Sequence, residues 1–133
     1  MTRLLVGTDS AEASERLVEY LDELVDDDDT VFIVNSLQGG DETSSDDVAA
    51  GDEAMDILED ALRDQTTIER HQYIRGNAPL EDLLKAGEEH DIDEYVIGIR
   101  KRSPVGKMMF GSTAQNLLLE TAHPVRCVPL VSD

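Results

Sequence analysis

A chain of 133 residues with 40% hydrophobic content has room for one domain over residues 1–133 and none for a second. With no Trp, two Phe and three Tyr, its core must be aliphatic. A formal net charge of −19 makes most of the surface repulsive to phosphate backbones and excludes duplex nucleic acid as a partner, and no apolar run reaches the roughly 18 residues that span a bilayer.

Residues 3–8, "RLLVGT", form a short apolar strand ending in Asp9-Ser10, both good helix N-caps. Ala13, Leu17, Leu21, Leu24 and Val25 then recur at helical spacing and predict a helix over about 11–26. "TVFIVNSL" at 30–37 is the second strand, and the polar, Gly-containing stretch "QGGDETSSDD" after it reads as a mobile loop. A helix over about 47–66 carries Ala50, Ala54, Ile57, Leu58, Ala61 and Leu62 on one face. "IERHQYIR" at 68–75 reads as a more polar strand suited to a sheet edge. Gly76-Asn77-Ala78-Pro79 opens a third helix whose inner face is Leu80, Leu83, Leu84 and Gly87. "EYVIGI" at 94–99 is the fourth strand, Ala114, Leu117, Leu118 and Thr121 line a fourth helix, and "PVRCVPLV" at 124–131 closes the chain as a fifth strand. Strands alternating with helices predict an α/β fold with a parallel sheet covered on both faces and right-handed crossovers. Cys127, alone among apolar residues, reads as a buried and inert thiol.

Ligands of such sheets collect beyond the carboxyl ends of the strands, where strand order reverses. The first and fourth ends carry unusual residues. Gly98 ends a strand, Gly111-Ser112-Thr113 begins a helix, and Arg100, Lys101, Arg102 and Lys107 lie between them, in a chain with only eleven basic residues. Free N–H groups at a helix start with hydroxyls beside them bind anions, glycine permits close backbone approach, and the cations attract a phosphate chain. Each part also has a plainer reading: Gly111-Ser112 as an ordinary helix start, the basic run as a counterweight to acidic neighbours, Asp9 as the cap of the first helix. "KRSPVGKM" misses the Walker A pattern, with Lys101 where its first Gly belongs and Met108 where its hydroxyl belongs, and no GxGxxG follows the first strand. His71, His90 and His123 lack metal-ligand spacing, and no Ser sits in a GxSxG elbow.

With these residues in view the chain resembles the universal stress protein family. The resemblance is carried by Thr8-Asp9-Ser10, by "GNAPLEDLLKAGEEHDIDEYVIG", by "GSTAQNLL" and by the closing "HPVRCVPLV". The family's nucleotide motif is Gly, two residues, Gly, nine residues, then Gly with Ser or Thr. Gly98 and Gly111-Ser112 reproduce its spacing, and Lys101 stands where the second glycine belongs. The resemblance implies an open five-stranded sheet ordered 3-2-1-4-5, Rossmann-like and similar to the adenine nucleotide alpha hydrolases. It also implies ATP, with or without Mg2+, as ligand, with Thr8 among the binding residues, Asp9 and Ser36 facing the adenosine, and Gly98, Gly111, Ser112 and Thr113 lining ribose and phosphates. Arg100 and Lys101 would add charge to that grip. A homodimer through strand 125–131 is implied in the same way.

The expected protein is thus a cytoplasmic, ATP-binding regulator of the stress response, not an enzyme, with slow hydrolysis at most because no general base is evident. Its location follows from "LLVG" after Met1-Thr2-Arg3, too short for a signal-peptide core. The alternative is a nucleotide-free dimeric interaction module whose basic loop docks an acidic protein partner. Dispersed Asp and Glu with only three Lys resemble the surfaces of proteins from organisms living in high salt.

Overall fold

Leu4, Leu5 and Val6 are all buried, the continuous apolar run that a central parallel strand covered on both faces requires. They lie in β1 (Arg3–Gly7) of a computed structural model that describes residues 1–37, 44–74, 79–101, 108–109 and 112–130. The chain continues through α1 (Ala11–Leu24), β2 (Thr30–Leu37), α2 (Ser45–Leu62), β3 (Thr67–Ile74), α3 (Pro79–Glu89), β4 (Glu94–Lys101), β5 (Met108–Met109), α4 (Ser112–Glu120) and β6 (Val125–Pro129).

β1 pairs in parallel with β2, from Arg3 opposite Thr30 to Gly7 opposite Val34, and with β4, from Leu4 opposite Glu94 to Val6 opposite Val96. β2 pairs with β3, and β4 with β6, again in parallel. The five long strands therefore run β3-β2-β1-β4-β6, the order expected as 3-2-1-4-5. The two-residue β5 was not foreseen; it pairs antiparallel with Arg100 and Lys101 and extends β4 beyond residue 99. Charged residues break the apolar run there, but an antiparallel ladder needs only backbone donors and acceptors.

Helices cover both faces. On one, Leu17 and Leu21 of α1 and Met55, Leu58 and Leu62 of α2 pack on Leu4, Val6, Val31, Ile33, Val96 and Val128. On the other, Leu83 and Ala86 of α3 and Leu117 of α4 pack on Leu5, Phe32, Val34, Tyr95 and Ile97. Tyr95 brings a hydroxyl into that apolar layer and donates it to the Leu83 carbonyl at 3.0 Å.

Local chemistry sets the boundaries. Ser10 caps α1, its hydroxyl accepting from Ala13 N–H at 3.1 Å. α2 begins two residues before the expected Asp47, because Ser44 and Asp47 form a reciprocal capping box. It ends at Leu62, short of the expected 66. Of the stretch read as a mobile loop, residues 38–43 lie outside the described residues and Ser44–Asp47 belong to the helix start. α3 begins on Pro79, whose missing N–H costs nothing in a first turn; Gly76, Asn77 and Ala78 lie outside the described residues.

Candidate functional site

The chain runs outward from β1 to β2 and β3, then returns across to β4 on the other flank of β1, so strand order reverses between β1 and β4. Val6 stands opposite Val96, the last pair of the β1–β4 ladder; β1 ends at Gly7, whereas β4 runs on to Lys101, so Gly98, expected as the end of its strand, lies inside β4, two residues past that ladder and paired with Val128. Gly7 lies opposite Val34, which brings Thr8-Asp9 beside Asn35-Ser36. Three of the expected site residues, Thr8, Asp9 and Ser36, thus gather at one mouth, with β4 as the neighbouring strand.

Their roles differ from one another. Asp9 is exposed at that mouth and is not the cap of α1, since Ser10 takes that work. Thr8 is 6% exposed and turned inward. Its N–H donates to the Val34 carbonyl at 3.0 Å and its carbonyl accepts from Asn35 Nδ2 at 2.9 Å. The Ser14 hydroxyl donates to the Ala54 carbonyl at 2.7 Å and so receives the Thr8 hydroxyl at 2.6 Å. Thr8 therefore anchors the turn, with its side chain engaged inside the protein.

Ser36 donates its hydroxyl to Asp82 Oδ2 at 2.5 Å, and Asp82, in the first turn of α3, is 1% exposed. A carboxylate near a helix N-terminus is favoured by the helix dipole. With the hydroxyl committed, the backbone of Ser36 is what remains at the mouth. Gly98 has a packing reason to be glycine: a Cβ there would stand 2.6 Å from both methyl carbons of Leu130, whose side chain already fills that space.

Arg100 and Lys101 are the last two residues of β4, in the ladder with β5, and Ser112 and Thr113 are the first two of α4. Gly111, Arg102 and Lys107 lie outside the described residues. The sequence reading missed Asn35, Gln72 and Asp82, which hold this mouth together. The signals were present as a lone amide after "VFIV" and an acidic residue beside the apolar face of α3, but only packing shows what each one bonds.

The remaining polar clusters lie elsewhere. His90 stacks on Phe32 and on His71, each at 4.7 Å between ring centroids, and the Arg3 guanidinium lies over the Phe32 ring, 4.9 Å from its centroid. Arg70 of β3 is held by Asp52, Asp56 and Glu59 of α2. Arg126 of β6 bonds Glu94 at 2.6 Å and the Tyr20 hydroxyl at 2.7 Å. Asp26, Asp28 and Asp29 cluster before β2, where Asp29 accepts from the N–H groups of Thr2 and Asp26 at 2.8 Å each and so closes the turn. Cys127 is partly buried, and burial pushes its thiol pKa up, in keeping with an inert thiol. No helix among the described residues is long and apolar enough to cross a membrane.

A doubly wound parallel sheet with a mouth at the β1/β4 switch point defines a Rossmann-like α/β protein. Residues 1–129 match the model of the universal stress protein family, and the chain belongs to that family. A universal stress protein of Mycolicibacterium smegmatis is 54% identical over 48 residues, which cover 36% of this chain and 37% of that relative. A solved universal stress protein from Archaeoglobus fulgidus is 32% identical, covers 96% of this chain and 98% of its own, and superposes with a TM-score of 0.77. A structure of the universal stress protein from the same organism in complex with dAMP is 27% identical with a TM-score of 0.70, again over 96% of this chain and 98% of its own.

Proposed function

We propose that the protein binds an adenine nucleotide, ATP with or without Mg2+, beyond the carboxyl ends of β1 and β4, and acts through its occupied or empty state as a dimeric, cytoplasmic regulator. The observation that carries this reading is the placement of Thr8-Asp9 beside Asn35-Ser36 at the β1/β4 switch point. The relative in complex with dAMP supports it. Asp9 and the Ser36 backbone would face the adenosine. Gly98, Gly111, Ser112 and Thr113 would line ribose and phosphates, and Arg100 and Lys101 would supply charge in an otherwise acidic molecule. The reading is of binding and signalling, without a catalytic residue. β6 is an edge of the parallel sheet, available for pairing with a second copy over 125–131.

One observation favours the second reading, a nucleotide-free module whose basic loop docks an acidic partner. Leu130 rather than a ligand accounts for the glycine at 98, and Lys101 replaces the second glycine of the motif. Two measurements decide between them. Protein denatured after purification should release adenine nucleotide, and calorimetry in high salt should show saturable ATP binding weakened by Gly111→Val. Absence of both at millimolar ATP with magnesium would overturn the nucleotide reading. Partner capture lost on neutralising Arg100, Lys101 and Arg102, and indifferent to ATP, would then stand for the second.

A further inference from the structure

Asn35 is 1% exposed in β2, and the four residues that precede it, Val31 to Val34, are apolar and buried. A primary amide in such a place is costly unless both its ends are bonded. Both are: Nδ2 donates to the Thr8 carbonyl at 2.9 Å, and Oδ1 accepts from Gln72 Nε2 at 3.1 Å. The same Gln72 amide donates to the Val48 carbonyl of α2 at 3.1 Å. α2 comes this close because residue 51 is glycine; a Cβ there would collide with Asn35 Oδ1 and stand 2.8 Å from Gln72 Nε2. β2, β3 and α2 thus meet around the Asn35 amide, which in turn holds one carbonyl, that of Thr8. That carbonyl belongs to the peptide plane joining Thr8 to Asp9, so whatever fixes it fixes the direction in which Asp9 leaves the sheet.

We propose that Asn35 is a positioning residue of the nucleotide site, locking the Thr8–Asp9 peptide from β2 so that Asp9 meets the ligand in one orientation. The proposal rests on the nucleotide reading above. A bound orientation set in advance saves the ordering cost at the moment of binding, and an apolar residue at 35 could fill the volume without providing it.

The test is calorimetry with dAMP and with AMP in high salt, alongside urea unfolding. Asn35→Ala should lower stability and weaken binding about tenfold, the worth of roughly one hydrogen bond. Adding Gly51→Ala returns volume to the vacated space and should recover stability, yet restores no bond to Thr8, so binding should stay weak. Asn35→Asp keeps the acceptor for Gln72 and, when ionised, loses the donor to Thr8; measured at a pH where the carboxyl is ionised it should weaken binding as well, at a cost in stability that the urea series reads. In an Asp9→Ala background, Asn35→Ala should change affinity little, because its effect passes through Asp9. Wild-type affinity in Asn35→Ala/Gly51→Ala and in Asn35→Asp would overturn the proposal, as would an undiminished effect of Asn35→Ala without Asp9. If the unaltered protein binds neither nucleotide, the nucleotide reading falls and the proposal falls with it; if it binds and the variants bind equally, the proposal alone falls.

Discussion

At the scale of single residues, two buried ionisable side chains give the fold a defined sensitivity to base. Tyr95 keeps its phenol against the Leu83 carbonyl in an apolar layer, and Cys127 is half-covered on β6; burial raises both above their ordinary values of 10.0 and 9.0. The protonated forms are therefore preferred in the folded state. At high pH the folded chain holds protons that the unfolded chain has lost, so their stabilisation is complete below the ordinary range and disappears as pH climbs through it. Unfolding free energy should be insensitive to these groups near neutrality and fall above about pH 9, first through Cys127 and then through Tyr95. Urea denaturation from pH 7 to 11 checks this: Cys127→Ala should remove the earlier part of the decline. An unchanged profile in that variant would contradict it. The same scale shows why glycines need separate reasons. Gly98 gives way to Leu130 and Gly87 to the Tyr95 ring, neither of which a sequence pattern discloses.

At the scale of elements, α2 illustrates how an acidic helix is held to its sheet. Asp52, Asp56 and Glu59 lie along one side of it, spaced at about one turn, and would repel one another. Arg70 on β3 reaches all three, at 2.5 Å to Asp56 and 2.9 Å to Glu59, and its guanidinium pKa is raised by those partners. Replacing it with Leu removes the cation and leaves three neighbouring carboxylates, which should cost about 1–2 kcal/mol in low salt, more than an isolated surface pair. The loss, measured by urea unfolding, should shrink in molar KCl, where the Debye length falls to about 3 Å. A loss independent of salt would point to packing of the Arg70 stem instead. Helix and strand positions were legible from periodicity because burial on one face selects it. The start of α2 was not, since its capping box lies in a polar stretch without periodicity, and β5 was not, since two backbone residues carry no pattern.

At the scale of the whole molecule, charge dominates. A net charge of −19 on 133 residues gives a compact state that repels itself at low ionic strength. The melting temperature should rise steadily from 0.1 M to 2 M KCl and much less in sucrose of equal osmolality, because screening rather than exclusion is responsible. Equal rises in the two solutes would count against the electrostatic account. Under the nucleotide reading proposed above, such screening would also weaken the attraction of the basic residues at the end of β4 for phosphate and leave binding in high salt to short-range bonds.

The amino-acid sequence by itself determined the alternation of strands and helices, the aliphatic core and the family to which the chain belongs. Those depend on hydrophobic periodicity and on spacing along the chain, which are local properties. It also located Asp9 just past the end of β1, but not the end of β4, which runs three residues beyond Gly98. Tertiary structure alone decided what each site residue is free to do. Ser10 rather than Asp9 caps the helix, Asp82 takes the Ser36 hydroxyl, Leu130 explains Gly98, and Asn35 bonds the carbonyl before Asp9. Apart from the local cap, these contacts join residues 27 to 46 positions apart, and they are settled only when the sheet brings the partners together.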